Sequence, residues 1–151
     1  MTITTLGTEK DKKGTTVIIK NTTSIGYTPI LPFFMKHFSK LCDLGWAHFA
    51  FTATNNSKAV YAEIDGKIVG HIVYNILDDQ VKTAWIYLSA VDDNYRQRGI
   101  YNLMHKHFEE VIKKLGSQKI ASYVHVDNLP RQQSCKSVGM TPYYYKMEKN
   151  L

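Results

Sequence analysis

The spacing of hydrophobic residues changes period several times along the chain, and each change predicts an element. Val17-Ile18-Ile19-Lys20 is a short β-branched run that predicts a first strand, after a polar, Thr/Lys-rich stretch (residues 1–16) that reads as a loose lead-in. Ile30, Phe33, Phe34, Phe38 and Leu41 then follow a helical period. Pro29 can open that helix, Pro32 still lies in its first turn, and Gly45 suits its end. Residues 46–58 carry Trp46, Phe49 and Phe51 and fit a second short helix or a turn before the polar Asn55-Asn56-Ser57.

From Ala59 the period shortens to two. Residues 59–64 and 67–76 read as strands joined by Asp65-Gly66, a pair that tolerates the positive φ angles of a type I′ turn. Leu77-Asp78-Asp79-Gln80 turns the chain again, and residues 83–91 complete an antiparallel meander. The clearest helix follows. Ile100, Leu103, Met104, His107, Phe108, Val111, Ile112 and Leu115 keep i, i+3, i+4, i+7 spacing, with Glu109, Glu110, Lys113 and Lys114 opposite and Gly116 at the end. Residues 119–126 predict a strand, which a crossover helix must bring beside the previous one. Asn128 can cap a further helix with Pro130 in its first turn and Gly139 beyond its end; residues 143–148 predict a last strand. There is no internal repeat and no low-complexity segment.

Length and composition narrow the class. A chain of 151 residues fits one domain, and a domain of that size buries roughly 70% of its unfolded surface. Ten Tyr, six Phe and two Trp need burial, which excludes global disorder. No apolar run approaches the ~20 residues of a membrane span. The opening MTITTLGTEKDKKG lacks the pattern of a signal peptide, and Cys42 and Cys135 stand far apart, so a cytoplasmic, single-domain protein without a disulfide framework is expected.

Nineteen Lys and Arg against thirteen Asp and Glu leave a charge of +6, which suits nucleic acid or a small polyanion. The basic residues are spread along the chain and many neighbour acids, so a solvated surface with a modest basic excess explains most of the charge.

The chemistry concentrates before the long helix, in Val91-Asp92-Asp93-Asn94-Tyr95-Arg96-Gln97-Arg98-Gly99-Ile100-Tyr101. A helix start offers unpaired N–H groups and the positive end of the macrodipole, a setting that binds phosphate. Gly99 lets the backbone approach an anion, and Arg96 and Arg98 add cations. No Gly-Lys-Ser/Thr and no Gly-x-Gly-x-x-Gly is present, which excludes the nucleotide P-loop and the Rossmann turn. An ordinary basic connection with a tight bend explains the loop chemistry equally well.

Arg96-x-x-Gly99-x-Tyr101, after a strand ending in Val91, resembles the acetyl-CoA signature Gln/Arg-x-x-Gly-x-Gly/Ala of the GNAT superfamily of N-acetyltransferases. Asn128 followed by Gly139-Met140 resembles that family's later Asn…Gly-Phe segment, and the element order also agrees. The resemblance is strong over residues 59–148 and rests on element order alone over 17–58. It implies an α/β (α+β) fold of GNAT type: a mixed, mostly antiparallel sheet with splayed central strands, flanked by helices. It implies acetyl-CoA as acyl donor and an amine acceptor attacking directly in a ternary complex; from the residues themselves no metal or membrane partner is expected, and nucleic acid is the less favoured partner. It leaves room for a homodimer through the last strand.

Residue by residue, backbone groups of Val91 would bond the pantetheine arm. The amides of Arg96, Gln97, Arg98, Gly99, Ile100 and Tyr101 would cradle the pyrophosphate, and Asn128 would also bond the pantetheine. Three departures stand out. Tyr101 replaces the second Gly or Ala, Cys135 stands where the family often has a Tyr general acid, and no Glu lies on the 83–91 strand where some members hold a base.

Cys135 and His125 are therefore the catalytic candidates. A thiol can give a proton to the departing CoA thiolate, although a thiolate leaves without one. His125, expected on the 119–126 strand with Tyr123 on the same face, has a pKa range suited to deprotonating an ammonium; a structural histidine is the simpler account. His71 and Glu63 follow. No Cys/His cluster has zinc spacing.

Two other readings compete: an acyl-CoA-binding or regulatory module with weak catalysis, and a basic nucleic-acid-binding domain. The acceptor is left open between a peptide N-terminus, a lysine and a small metabolite. The basic balance argues against polyamines and aminoglycosides, which an acidic lining would suit.

Overall fold

A computed structural model describes residues 1–47 and 53–151. Among the described residues six strands form one sheet in the order β1-β2-β3-β4-β5-β6: β1 (Ile3–Lys10), β2 (Thr16–Thr22), β3 (Lys58–Ile64), β4 (Lys67–Ile76), β5 (Ala84–Val91) and β6 (Ile120–Ser122). Every neighbouring pair is antiparallel except β5–β6, which is parallel. A parallel pair needs a crossover, and α2 (Ile100–Lys114) supplies it. Helix α1 (Ile30–Asp43) follows β2, and α3 (Leu129–Ser137) follows β6.

The periodicities that predict the helices also decide which faces they bury. Ile100, Met104, Phe108 and Ile112 of α2 pack on Val17, Ile19, Val60, Ile72, Tyr74 and Ile86 of the sheet. Phe108 meets Tyr74 edge-on, with ring centroids 4.9 Å apart. On the opposite face Ile30, Phe34 and Phe38 of α1 pack on Ala59, Tyr61, Val73 and Leu88. Gly70 lets α2 approach closely, because a Cβ there would lie 3.0 Å from Met104 Cε and 3.2 Å from the Ala90 oxygen. Among the described residues no helix is long and apolar enough to cross a membrane.

Asp65 and Gly66, with φ of 50° and 75°, turn β3 into β4 as the Asp-Gly pair predicts. The ends of the chain differ from expectation. Residues 3–10, expected to be loose, form β1, because an extended ladder to β2 satisfies their backbone and Leu6 packs against the core. The expected 119–126 strand pairs over three residues only. Past Ser122, Tyr123 packs edge-on against Trp85 at 4.9 Å and the chain turns, with Asn128 N–H donating to His125 O.

Residues 143–148 form no strand. Tyr143, Tyr144 and Tyr145 are exposed, with Tyr143 packed against Tyr144. A three-residue β6 offers too short an edge to template another strand. Of the expected helix or turn over 46–58, Phe49 and Phe51 lie outside the described residues.

Candidate functional site

The site begins with an irregularity in β5. Against β4, Leu88 faces Val73 and Ile86 faces Tyr74, so Tyr87 is an extra residue, a β-bulge. Before the bulge, Ala84 N–H donates to Lys119 O and Ile86 O accepts from Ser122 Oγ, so the even-numbered residues face β6. After it, Asp92 N–H donates to Val69 O on β4. Alternation along the strand therefore turns the backbone of Ser89 and Val91 away from β4. β6 stops opposite Ile86, so those two residues present their N–H and C=O groups to an opening that no strand among the described residues crosses. The Ser89 hydroxyl is also buried without a hydrogen-bond partner among the described residues.

Beyond Val91, Asp92 caps a single 3₁₀ turn, Asp93–Tyr95, by accepting from Asn94 N–H. The chain then passes through two left-handed residues, Gln97 at φ 59° and Gly99 at φ 79°, before α2 starts. A side chain at Gly99 would be strained by that φ. No side chain caps α2, so its first amides, from Ile100 onward, have no partner in the helix or from a cap.

The two arginines of this loop are occupied, and differently. Arg96 Nε pairs with Asp93 at 3.0 Å on the surface, its side chain 57% exposed. Arg98 is only 12% exposed and turns inward. Its Nε donates to Asp11 Oδ2 at 2.6 Å, its Nη2 donates to Thr15 Oγ1 at 2.9 Å, and its guanidinium lies 5.0 Å from the Tyr95 ring centroid. Asp11 is buried in the β1–β2 turn. Burial alone would raise its carboxyl pKa, but N–H groups of Thr15 and Lys13 and the Arg98 guanidinium outweigh that and hold it below the ordinary value. Lys12 N–H donates to Arg98 O at 3.0 Å, closing a clasp between hairpin and loop.

Helix α3 lies against the start of α2. Asn128 caps it by accepting from Arg131 N–H at 3.2 Å. Tyr101 does not crowd the loop: its ring lies against α3, with its hydroxyl accepting from Arg131 Nη1 at 2.9 Å and the Arg131 guanidinium 5.5 Å from the ring centroid. Burial pushes the Tyr101 hydroxyl pKa up. Arg131 Nη2 is buried without a partner among the described residues. Cys135 is the buried side chain of α3, and burial pushes its thiol up despite nearby Arg131.

His125 sits in the turn between β6 and α3. Its Nδ1 accepts Asp127 N–H at 3.1 Å, and its ring stacks toward Trp46 with centroids 6.2 Å apart. With Nδ1 accepting, the neutral ring carries its proton on Nε2. His71 lies on the other face of the sheet among Phe33, Phe34 and His37 of α1. It is fully buried, neither ring nitrogen has a partner among the described residues, and burial pushes its pKa down to about 3. Glu63 is bound to Lys20 at 2.9 Å.

The structure thus brings Val91, the loop 96–101, Asn128 and Cys135 to one end of the sheet, with Arg98 facing inward. The sequence reading missed Asp11, Lys12, Thr15, Ser89 and Arg131. A signal existed for the first three: Asp11-Lys12-Lys13-Gly14 is a turn sequence between Thr-rich flanks. The parity change at Tyr87 leaves no mark in composition.

Solved structures with similar folds include acetyltransferases. An aminoglycoside acetyltransferase from an uncultured soil metagenomic sample, in complex with sisomicin, superimposes with a TM-score of 0.64 at 16% identity, covering 87% of this chain and 97% of that one. The aminoglycoside acetyltransferase AAC(6')-Iy, in complex with the bisubstrate analog CoA-S-monomethyl-acetylneamine, gives 0.64 at 15% identity, covering 89% and 97%. A ribosomal-protein-alanine N-acetyltransferase from Brucella melitensis biovar Abortus 2308 gives 0.62 at 11% identity, covering 89% and 99%. At such identities these likenesses establish the fold. No curated protein sequence matches the chain significantly. The acetyltransferase (GNAT) family model matches residues 26–140, which span the bulged strand, the loop with its left-handed Gly99 and the capped α3, and the chain accordingly belongs to the GNAT acetyltransferase family.

Proposed function

We propose that the protein is an N-acetyltransferase that takes an acetyl group from acetyl-CoA and delivers it to a primary amine by direct attack in a ternary complex. The observation that carries this reading is the opening past the β5 bulge. There the unpaired backbone of Ser89 and Val91 adjoins the uncapped start of α2, so one elongated ligand can meet amide donors along its arm and at its phosphate end. The pantetheine arm would extend β5 as a false strand at Ser89 and Val91, flanked by α3 behind Asn128. The pyrophosphate would rest on the amides of Gly99, Ile100 and Tyr101.

The amine nitrogen forms a bond to the thioester carbonyl carbon, the carbon–sulfur bond breaks, and the amine loses a proton. Cys135, whose thiol burial keeps protonated, would be the donor to the departing thiolate, although that thiolate is stable enough to leave alone. His125 needs to release Asp127 N–H before Nδ1 can take a proton. Solvent is therefore the simpler acceptor for the proton of the attacking amine.

The acceptor class is open between a peptide N-terminus, a lysine and a small metabolite. The aminoglycoside and ribosomal-protein acetyltransferases of similar fold define the first acceptors to assay. A second reading, an acyl-CoA-binding module without efficient transfer, is favoured by the committed His125 and by the lack of a carboxylate on β5. The test is a CoA-release assay against a panel of amines, with mass detection of the product. Turnover supports transfer; tight acetyl-CoA binding without turnover on any amine supports the module.

A further inference from the structure

Both arginines that the loop offers to a phosphate are already matched to carboxylates, Arg96 to Asp93 and Arg98 to Asp11. A cofactor site built on this loop needs its net positive charge from elsewhere. The β1–β2 hairpin delivers it. Its turn is closed by Asp11 N–H to Thr15 O and Gly14 N–H to Asp11 O, and it is locked against the loop by the Asp11–Arg98 pair and by Lys12 N–H to Arg98 O. This clasp lays the Lys12 stem over Gly99: a Cβ built on Gly99 would lie 3.4 Å from Lys12 Cε and 3.6 Å from its Cγ. Lys12 is exposed, and among the described residues no carboxylate lies within ion-pair distance of it. A flexible ammonium one bond beyond Cε thus stands beside amides that have no partner of their own.

We propose that Lys12, at the tip of the β1–β2 hairpin, is the cation that binds the pyrophosphate of the acyl-CoA donor, while Arg98 acts as the strut that holds the hairpin in place. The inference rests on the acetyl-CoA reading above. It extends the cofactor site to a hairpin that lies outside the span of the family match. Lysine suits the position, because a compact ammonium on a flexible stem can follow the ligand without a fixed fork geometry.

The test is calorimetry of CoA and of 3′-dephospho-CoA on the full chain and on Lys12→Gln, Lys12→Arg and Lys13→Gln, with thermal midpoints measured alongside. Lys12→Gln is expected to weaken CoA by about tenfold, the size of a lost hydrogen bond to a charged group. It should weaken dephospho-CoA equally and leave the midpoint unchanged. Lys12→Arg should retain most of the affinity, and Lys13→Gln should bind like the wild type.

Binding by Lys12→Gln within twofold of the wild type overturns the proposal. So does an equal loss in Lys13→Gln, which would make the effect one of general charge. A loss confined to CoA and absent with dephospho-CoA would move Lys12 to the 3′-phosphate and overturn the pyrophosphate assignment. Failure of the wild type to bind CoA at all would instead sink the cofactor reading, and the proposal with it.

Discussion

Arg98 and Arg96 are two residues apart and carry the same charge, yet their surroundings give them different work. Arg98 uses Nε and Nη2 on Asp11 and Thr15, a fork geometry that lysine lacks. Arg98→Lys keeps the charge and loses the fork. It is therefore expected to lower the thermal midpoint by several degrees and weaken acetyl-CoA binding together. If Arg98 were a free phosphate ligand, binding would fall with the midpoint unchanged.

Cys135 is tested by its size of effect. A positioned general acid supplies about 100-fold or more in rate. Because thiolate leaves unaided, Cys135→Ala is expected to cost less than that in kcat on whichever amine is turned over. A loss beyond it would make the thiol a required donor. Glycine substitution at the loop is a poorer probe of binding, because Gly99 at φ 79° makes any side chain there strain the backbone as well as obstruct a ligand.

The two helices that flank the opening are held by different forces. Helix α2 buries Ile100, Met104, Phe108 and Ile112 in the larger core, and Phe108→Ala is expected to cost about 3–5 kcal/mol in urea unfolding. Helix α3 is tied to α2 mainly through polar contacts, Tyr101 to Arg131 and Ser137 to Asn102, with Cys135 as its buried side chain. Its amides should exchange with deuterium well before those of α2, since local opening is easiest where little apolar surface is buried. Equal protection would show packing that these contacts do not account for.

Legibility in the sequence divides the same way. Strong periodicity over 100–115 and the Asp65-Gly66 turn were sufficient for α2 and the β3–β4 hairpin, because each of those signals is local. The short β6, the strandless tail at 143–148 and the ladder of β1 depend on which partner a strand finds, and a partner is not written in the strand itself. The loop and its Gly99 were readable from residue types. That Arg98 faces Asp11 across 87 positions, and that a bulge at Tyr87 turns Val91 outward, follow only from the assembled sheet.

Across the whole molecule, stability couples to pH through buried histidines. Burial holds His71 far below its ordinary 6.5, at about 3, and also lowers His37 and His105. A depressed folded pKa means that the unfolded chain takes up protons first as pH falls. Stability is thus complete above about pH 6.5 and is lost progressively toward pH 3. His71 alone should cost about 2 kcal/mol between pH 7 and pH 5. Urea midpoints at those two pH values check this; equal midpoints would mean His71 finds a proton partner that the fold does not show.

On the proposed function, one acyl-CoA molecule occupies the opening past the β5 bulge and rests on the start of α2. Hydrogen–deuterium exchange of the full chain, with and without acetyl-CoA, decides whether it does. The amides of Ser89, Val91 and Ile100–Asn102 should gain protection together, with the hairpin turn at 11–15 following. Protection confined to other segments, or none at saturating acetyl-CoA, would contradict the site.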